Sequence, residues 1–166
     1  MTDAGMLDVH VLTVDLTDAF LRVGPAESLR GLGFKESATN LLRDNGAVAG
    51  VNADFFGLAG AYSVPFGPVA DRGQLRAINT STNYRRNEFA AFFIDDNNNP
   101  FMGYMKATIN FMVNGQNIIE ISSFNKAGAD FRWAVAVDKQ YMDNTSNIDS
   151  RFEGLYKIVV DGGMIT

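Results

Sequence analysis

Ala47-Val48-Ala49-Gly50-Val51-Asn52-Ala53-Asp54-Phe55-Phe56-Gly57 opens as a run of small apolar residues without a charge, the pattern of a short strand buried on both faces. The chemistry then changes within three positions. Asn52 and Asp54 place an amide and a carboxylate where the strand should emerge, on one side of an extended chain. Phe55 and Phe56 follow, and Gly57 and Gly60 release the backbone into a loop. A rigid strand that ends in polar groups beneath aromatic rings is a mount for a small-molecule site. The structural alternative is that Asn52 and Asp54 cap a turn while both Phe side chains join the core.

Working outward, Ser37 is the expected N-cap of a helix that runs to about Asn45 and stops at Gly46, with Ala38, Leu41 and Leu42 forming one apolar stripe. It leads straight into the strand at Ala47. Upstream, Asp8 to Leu16 and Ala19 to Val23 read as two strands joined through Thr17-Asp18. Residues 26–36 read as loop, and Gly31-Leu32-Gly33 lacks the third glycine of a dinucleotide fingerprint.

Downstream, Val69-Ala70 and Gln74 to Ile78 are expected to pair about Asp71-Arg72-Gly73. Asn79 to Asn87 reads as polar and exposed. Glu88 to Asp95 returns as Phe101 to Lys106, and Thr108 to Val113 pairs with Gln116 to Ser122 across Asn114-Gly115, the strongest hairpin signal in the chain. Phe131 to Asp138 and Leu155 to Asp161 complete the strands. About ten strands and one or two helices, without a βαβ repeat or a linker, predict a single α+β domain over 1–166 with mainly antiparallel or mixed sheet.

Composition narrows the function classes. A net charge of −5 gives nucleic-acid or anionic-membrane binding no electrostatic support. The absence of cysteine excludes thiolate nucleophiles, zinc knuckles and iron–sulfur sites. No apolar run is long enough to span a membrane, and Met1-Thr2-Asp3-Ala4-Gly5 lacks a signal-peptide pattern. His10 is the only histidine and sits in an apolar strand, where a structural role is the commoner case. Asp95-Asp96-Asn97-Asn98-Asn99 has oxygen side chains spaced as in a calcium loop. Pro100 stands where that loop needs glycine and Lys106 where it needs glutamate, so a hairpin turn is expected instead. No metal or cofactor motif is read. Asn79-Thr80-Ser81 and Asn144-Thr145-Ser146 match the glycosylation pattern, but coincidence explains both in a chain rich in these residues.

Asn52-Ala53-Asp54-Phe55-Phe56-Gly57 after a small apolar strand resembles the Asn-Gly-Gly-Phe-Phe-type signature of the phosphodiester glycosidase family, which includes N-acetylglucosamine-1-phosphodiester alpha-N-acetylglucosaminidases and bacterial proteins linked to exopolysaccharide. Val9 to Leu16, Pro65 to Leu75, Phe89 to Asp95 and Lys157 to Gly163 resemble other family segments in the same order. Position 54 is Asp where the best-known members have Gly. The family's second half carries an Asp-Gly-Gly-Gly-Ser-like motif that does not occur before Thr166, so the resemblance is to the front portion of a family domain.

The resemblance implies hydrolysis of a sugar-1-phosphodiester in a phosphate-linked glycan or cell-envelope polysaccharide, in an extracellular or envelope location, with an active site that this chain alone leaves incomplete. It implies Asp54 as the catalytic carboxylate, with Asn52 and Phe56 on the floor of the site, Gly67 leaving room for substrate and Arg86 touching phosphate. Tyr62, Tyr84 and Trp133 are candidates to stack on a sugar face, and Asp71 and Glu88 are near Asp54 in sequence order. The contrasting expectation is a non-catalytic module that binds glycan or assembles through an open sheet edge.

Overall fold

The computed structural model describes residues 5–56, 65–80, 90–126, 134–150 and 154–166. The elements run α1 (Ala38–Asp44), β1 (Val69–Asp71), β2 (Gln74–Asn79), β3 (Ala91–Ile94), β4 (Pro100–Gly103), β5 (Ile109–Val113), β6 (Gln116–Ile121), β7 (Ser123–Phe124), β8 (Val135–Ala136), α2 (Ser146–Asp149), β9 (Val160–Asp161) and β10 (Met164–Ile165). This is an α+β fold dominated by sheet, as expected.

Turn chemistry sets the hairpins. Asn114 and Gly115 adopt φ of 50° and 77°, and Arg72 and Gly73 adopt 49° and 71°. Two successive positive φ values are the signature of the turn whose twist matches antiparallel strands. They join β5 to β6 and β1 to β2 in register, with Val113 opposite Gln116 and Asp71 opposite Gln74. Gly162 and Gly163 do the same between β9 and β10. Between β3 and β4, the Asp95 carboxylate accepts from the backbone N–H groups of Asn97 and Asn99. The bonds from Asn99, first its backbone and then its side chain, hold this carboxyl below the usual aspartate range.

Helix α1 begins where expected. The Ser37 hydroxyl accepts from the Asn40 N–H at 3.2 Å, and Gly46 closes the end at φ 64°. Leu41 and Leu42 are half-buried, whereas Ala38 is exposed.

The central sheet has the order β1-β2-β7-β8, antiparallel except for the parallel pair β7 and β8. Its interior mixes the apolar side chains of Ala77, Ile78 and Ile121 with an unusual number of polar ones. Asn79 and Thr80, expected on an exposed stretch, are buried. They continue β2 against the Ile121–Phe124 segment: Asn79 pairs with Ser123, the Thr80 hydroxyl donates to the Ile121 carbonyl at 2.6 Å, and the Thr80 N–H donates to the Ser122 carbonyl. Burial is tolerated because no buried side-chain nitrogen or oxygen among the described residues lacks a partner. Asn125, 0% exposed, ties the corner together. Its amide donates to the Arg76 carbonyl and to Asp138 Oδ1, and its side-chain oxygen accepts the Asp138 N–H.

A separate apolar cluster gathers Tyr141, Met142 and Ile148 against Leu32, Phe34 and Val137. It accounts for Gly31 and Gly33. A Cβ on Gly31 would lie 2.6 Å from the Tyr141 carbonyl oxygen, and Gly31 also adopts φ 117°. These glycines therefore serve backbone-to-backbone approach, not a nucleotide.

Four apolar runs expected as strands depart from that reading. Residues 8–16, 19–23 and 47–51, and the 155–159 part of the last strand, form no ladder among the described residues. Asp15 and Asp18 make the expected turn region, but the flanking segments do not pair. A strand with apolar residues on both faces needs neighbours on its edges and above and below. Here Val11 is 83% exposed and Val48 95% exposed. No helix among the described residues is long and apolar enough to cross a membrane.

The Asn125 corner yields a prediction. Asn125→Ala leaves the Asp138 N–H and the Arg76 carbonyl unpaired and forces alanine to the observed φ of 53°, a combined loss of about 2–4 kcal/mol. Asn125→Gly removes the same bonds without the backbone strain and should lose roughly 1–2 kcal/mol less. Urea unfolding of the two variants measures both components.

Candidate functional site

The polar end of the 47–57 stretch meets the 65–67 turn. The Phe66 N–H donates to the Phe55 carbonyl at 2.9 Å, and Phe56 bridges Pro65 in antiparallel fashion. This pairing carries Gly67 up to Asp54. The Gly67 N–H donates to Asp54 Oδ2 at 2.8 Å. Asp54 is half-buried, and its other oxygen has no hydrogen-bond partner among the described residues. One oxygen is pinned and one is open, an arrangement suited to a carboxylate that must present a defined lone pair to a ligand.

Gly67 lies close against the Asp54 carboxylate. A Cβ there would stand 3.3 Å from Asp54 Oδ2 and 3.7 Å from its carboxyl carbon. A methyl group there would require the carboxylate to give way by a few tenths of an ångström.

Beneath the turn lies Lys126, 6% exposed. Its ammonium donates to the carbonyl oxygen of Phe66 at 2.8 Å and to that of Gly67. Lys126 follows β7 and the Asn125 corner, so the central sheet sets its position. A buried ammonium costs several kcal/mol of desolvation unless fixed dipoles receive it, as these carbonyls do.

The aromatic residues sit outside the core. Phe55 is 77% exposed and Phe56 42% exposed, and the Lys35 ammonium stands 6.0 Å over the Phe56 ring. Asn52 is exposed. Asp54, Gly67 and Phe56 are thus brought together through one short bridge, with Asn52 on the adjoining chain. Arg86, Arg85, Glu88, Tyr62, Tyr84 and Trp133 lie outside the described residues. Asp71 is engaged elsewhere, in an ion pair with Arg22. His10 is exposed beside Asp8 rather than packed in an interior strand. No group of three or more metal-ligating side chains occurs among the described residues.

Sequence reasoning missed Lys126 and Lys35. A single lysine after a polar Ser-Ser-Phe-Asn run carries no local sign of burial, and only the β2–β7 pairing brings it beneath residue 66.

The tight approach makes Gly67→Ala a sharp probe. The added methyl group competes with Asp54 Oδ2 for space, weakens the Gly67 N–H bond and should lower stability by about 0.5–1.5 kcal/mol. Gly103→Ala, with nothing within 4 Å of the new carbon, is the control and should stay within ~0.5 kcal/mol of the parent. Urea midpoints compare the two.

Comparison with family models, with curated proteins and with solved structures returned no match for this chain.

Proposed function

We propose that the chain carries the carboxylate-bearing part of a sugar-1-phosphodiester hydrolase of the phosphodiester glycosidase type, acting on a phosphate-linked glycan. The observation that supports this most directly is the half-pinned Asp54: Oδ2 fixed by the Gly67 N–H, the second oxygen open, and exposed Phe55 and Phe56 alongside.

The chemistry suits a single well-placed carboxylate. Cleaving the bond between the anomeric carbon and its oxygen expels a phosphate monoester, which is a stable anion at neutral pH. The leaving group therefore needs little protonation, and the demanding task is to activate water or attack the anomeric carbon. Asp54 takes that role. Phe55 and Phe56 offer apolar faces for a sugar ring, Asn52 offers an amide to a hydroxyl or phosphate oxygen, and Lys35 over Phe56 brings a cation to the same side. Arg86 remains a candidate phosphate contact by sequence.

Asp54→Asn keeps the shape and an acceptor for the Gly67 N–H but removes the charge. It should stay folded, with a small loss of stability from the weakened Gly67 N–H bond, and in a turnover-competent form of the protein lower the hydrolysis of a chromogenic sugar-1-phosphodiester by about 10²–10⁴-fold. Equal and measurable turnover in that form and in its Asp54→Asn variant would remove Asp54 from the mechanism.

A second reading, assembly through unpaired strands, is favoured by the exposed apolar residues of the runs that form no ladder among the described residues, such as Val9, Val11, Val48 and Val159. The occupant that fits is a second copy of this chain. Sedimentation should then give a dimer, and Val11→Lys with Val159→Lys, both on exposed positions, should give a monomer. A parent chain that stays monomeric at high micromolar concentration would sink this reading.

A further inference from the structure

We propose that Lys126 is a positioning residue for Asp54 and acts through a single peptide group. The inference rests on the reading of Asp54 as the working carboxylate, but its geometry stands independently. The Lys126 ammonium donates to the Phe66 carbonyl oxygen at 2.8 Å. The N–H of that same peptide unit belongs to Gly67, and it donates to Asp54 Oδ2 at 2.8 Å. A buried cation and a half-buried carboxylate therefore hold opposite ends of one conjugated amide.

Resonance couples the two ends. Hydrogen bonding to the carbonyl oxygen withdraws electron density from nitrogen and makes the N–H a stronger donor, and a carboxylate on the N–H makes the oxygen a stronger acceptor. Each bond is charge-assisted, and each strengthens the other. The Gly67 carbonyl provides an internal contrast. It also accepts from Lys126, but its peptide runs on to Pro68, which has no N–H to pass the effect along.

The arrangement also explains why the turn is held so firmly from beneath. Phe66 N–H to Phe55 and the Phe56–Pro65 bridge already fix its path. Lys126 adds orientation to the one amide that faces Asp54, and so fixes which carboxylate oxygen stays open to a ligand.

Backbone nuclear magnetic resonance of the labelled chain tests this. In Lys126→Met, which keeps an unbranched side chain one atom shorter and removes the ammonium, the Gly67 amide proton should move upfield while the Phe66 amide proton keeps its parent position. In Asp54→Asn the Phe66 carbonyl carbon should move upfield while the Gly67 carbonyl carbon does not. The second variant keeps Lys126 in place and serves if Lys126→Met fails to fold. Unchanged Gly67 and Phe66 signals in these variants would overturn the proposal. So would concerted movement of both carbonyl carbons in Asp54→Asn, which reports a loosened turn. Neither readout depends on sugar phosphodiester turnover, so absence of hydrolysis leaves this result standing, and loss of the relay leaves the assignment of Asp54 to be judged by activity alone.

Discussion

The side chain of Asn125 is the constraint from which the rest of the site follows. It sits where the chain leaves β7, adopts a left-handed backbone conformation, and binds the β2 backbone on one side and Asp138 on the other. Asparagine tolerates that conformation better than most residues and supplies both a donor and an acceptor. Its neighbour Lys126 is delivered beneath the 65–67 turn by the same corner. Lys126 orients the Phe66–Gly67 peptide, Gly67 meets Asp54, and a carboxylate far from the sheet in sequence is held by it in space.

The sheet that does this is unusual in what it buries. Asn79, Thr80, Ser122, Ser123, Asn125 and Lys126 are interior, while valines and phenylalanines of the 8–23 and 47–56 segments face solvent. The polar interior is stable because its groups are paired: among the described residues no buried side-chain nitrogen or oxygen lacks a partner. Such an interior gains less from apolar burial than an aliphatic one and depends more on geometry, because each unmet hydrogen bond is costly. Stability and site architecture are consequently the same network.

What the sequence disclosed follows from the range of the interactions involved. Asn114-Gly115, Arg72-Gly73 and Gly162-Gly163 specify turns through their own backbone preferences, and Ser37 and Gly46 bracket α1 for the same local reason. Those features were legible. The runs 8–16 and 47–51 look like strands because they are apolar, but pairing is decided by what lies beside them, and the described residues provide no partner. The polar stretch at Asn79 and Thr80 failed in the opposite sense, because hydroxyls and amides satisfied by a neighbouring backbone look solvent-exposed in one dimension. Asp54 was legible as a candidate from its place after an apolar run. Its contact with Gly67 was only half legible, and Lys126 was not, because no local pattern marks a lysine that will be buried by a strand far upstream.

The contacts between Gly31, Gly33 and Tyr141 join opposite ends of the chain, and the β2–β7 pair spans much of its middle. Closing such long loops exacts chain entropy before any contact repays it, whereas tight hairpins such as β5–β6 close within microseconds. The order of acquisition should therefore run from isolated hairpins to the distant junctions, with the carboxylate cradle assembling last. A nascent or partly unfolded molecule would display intact β-ribbons well before Asp54, Gly67 and Lys126 came together, so retained secondary structure is a poor surrogate for a completed fold in this protein.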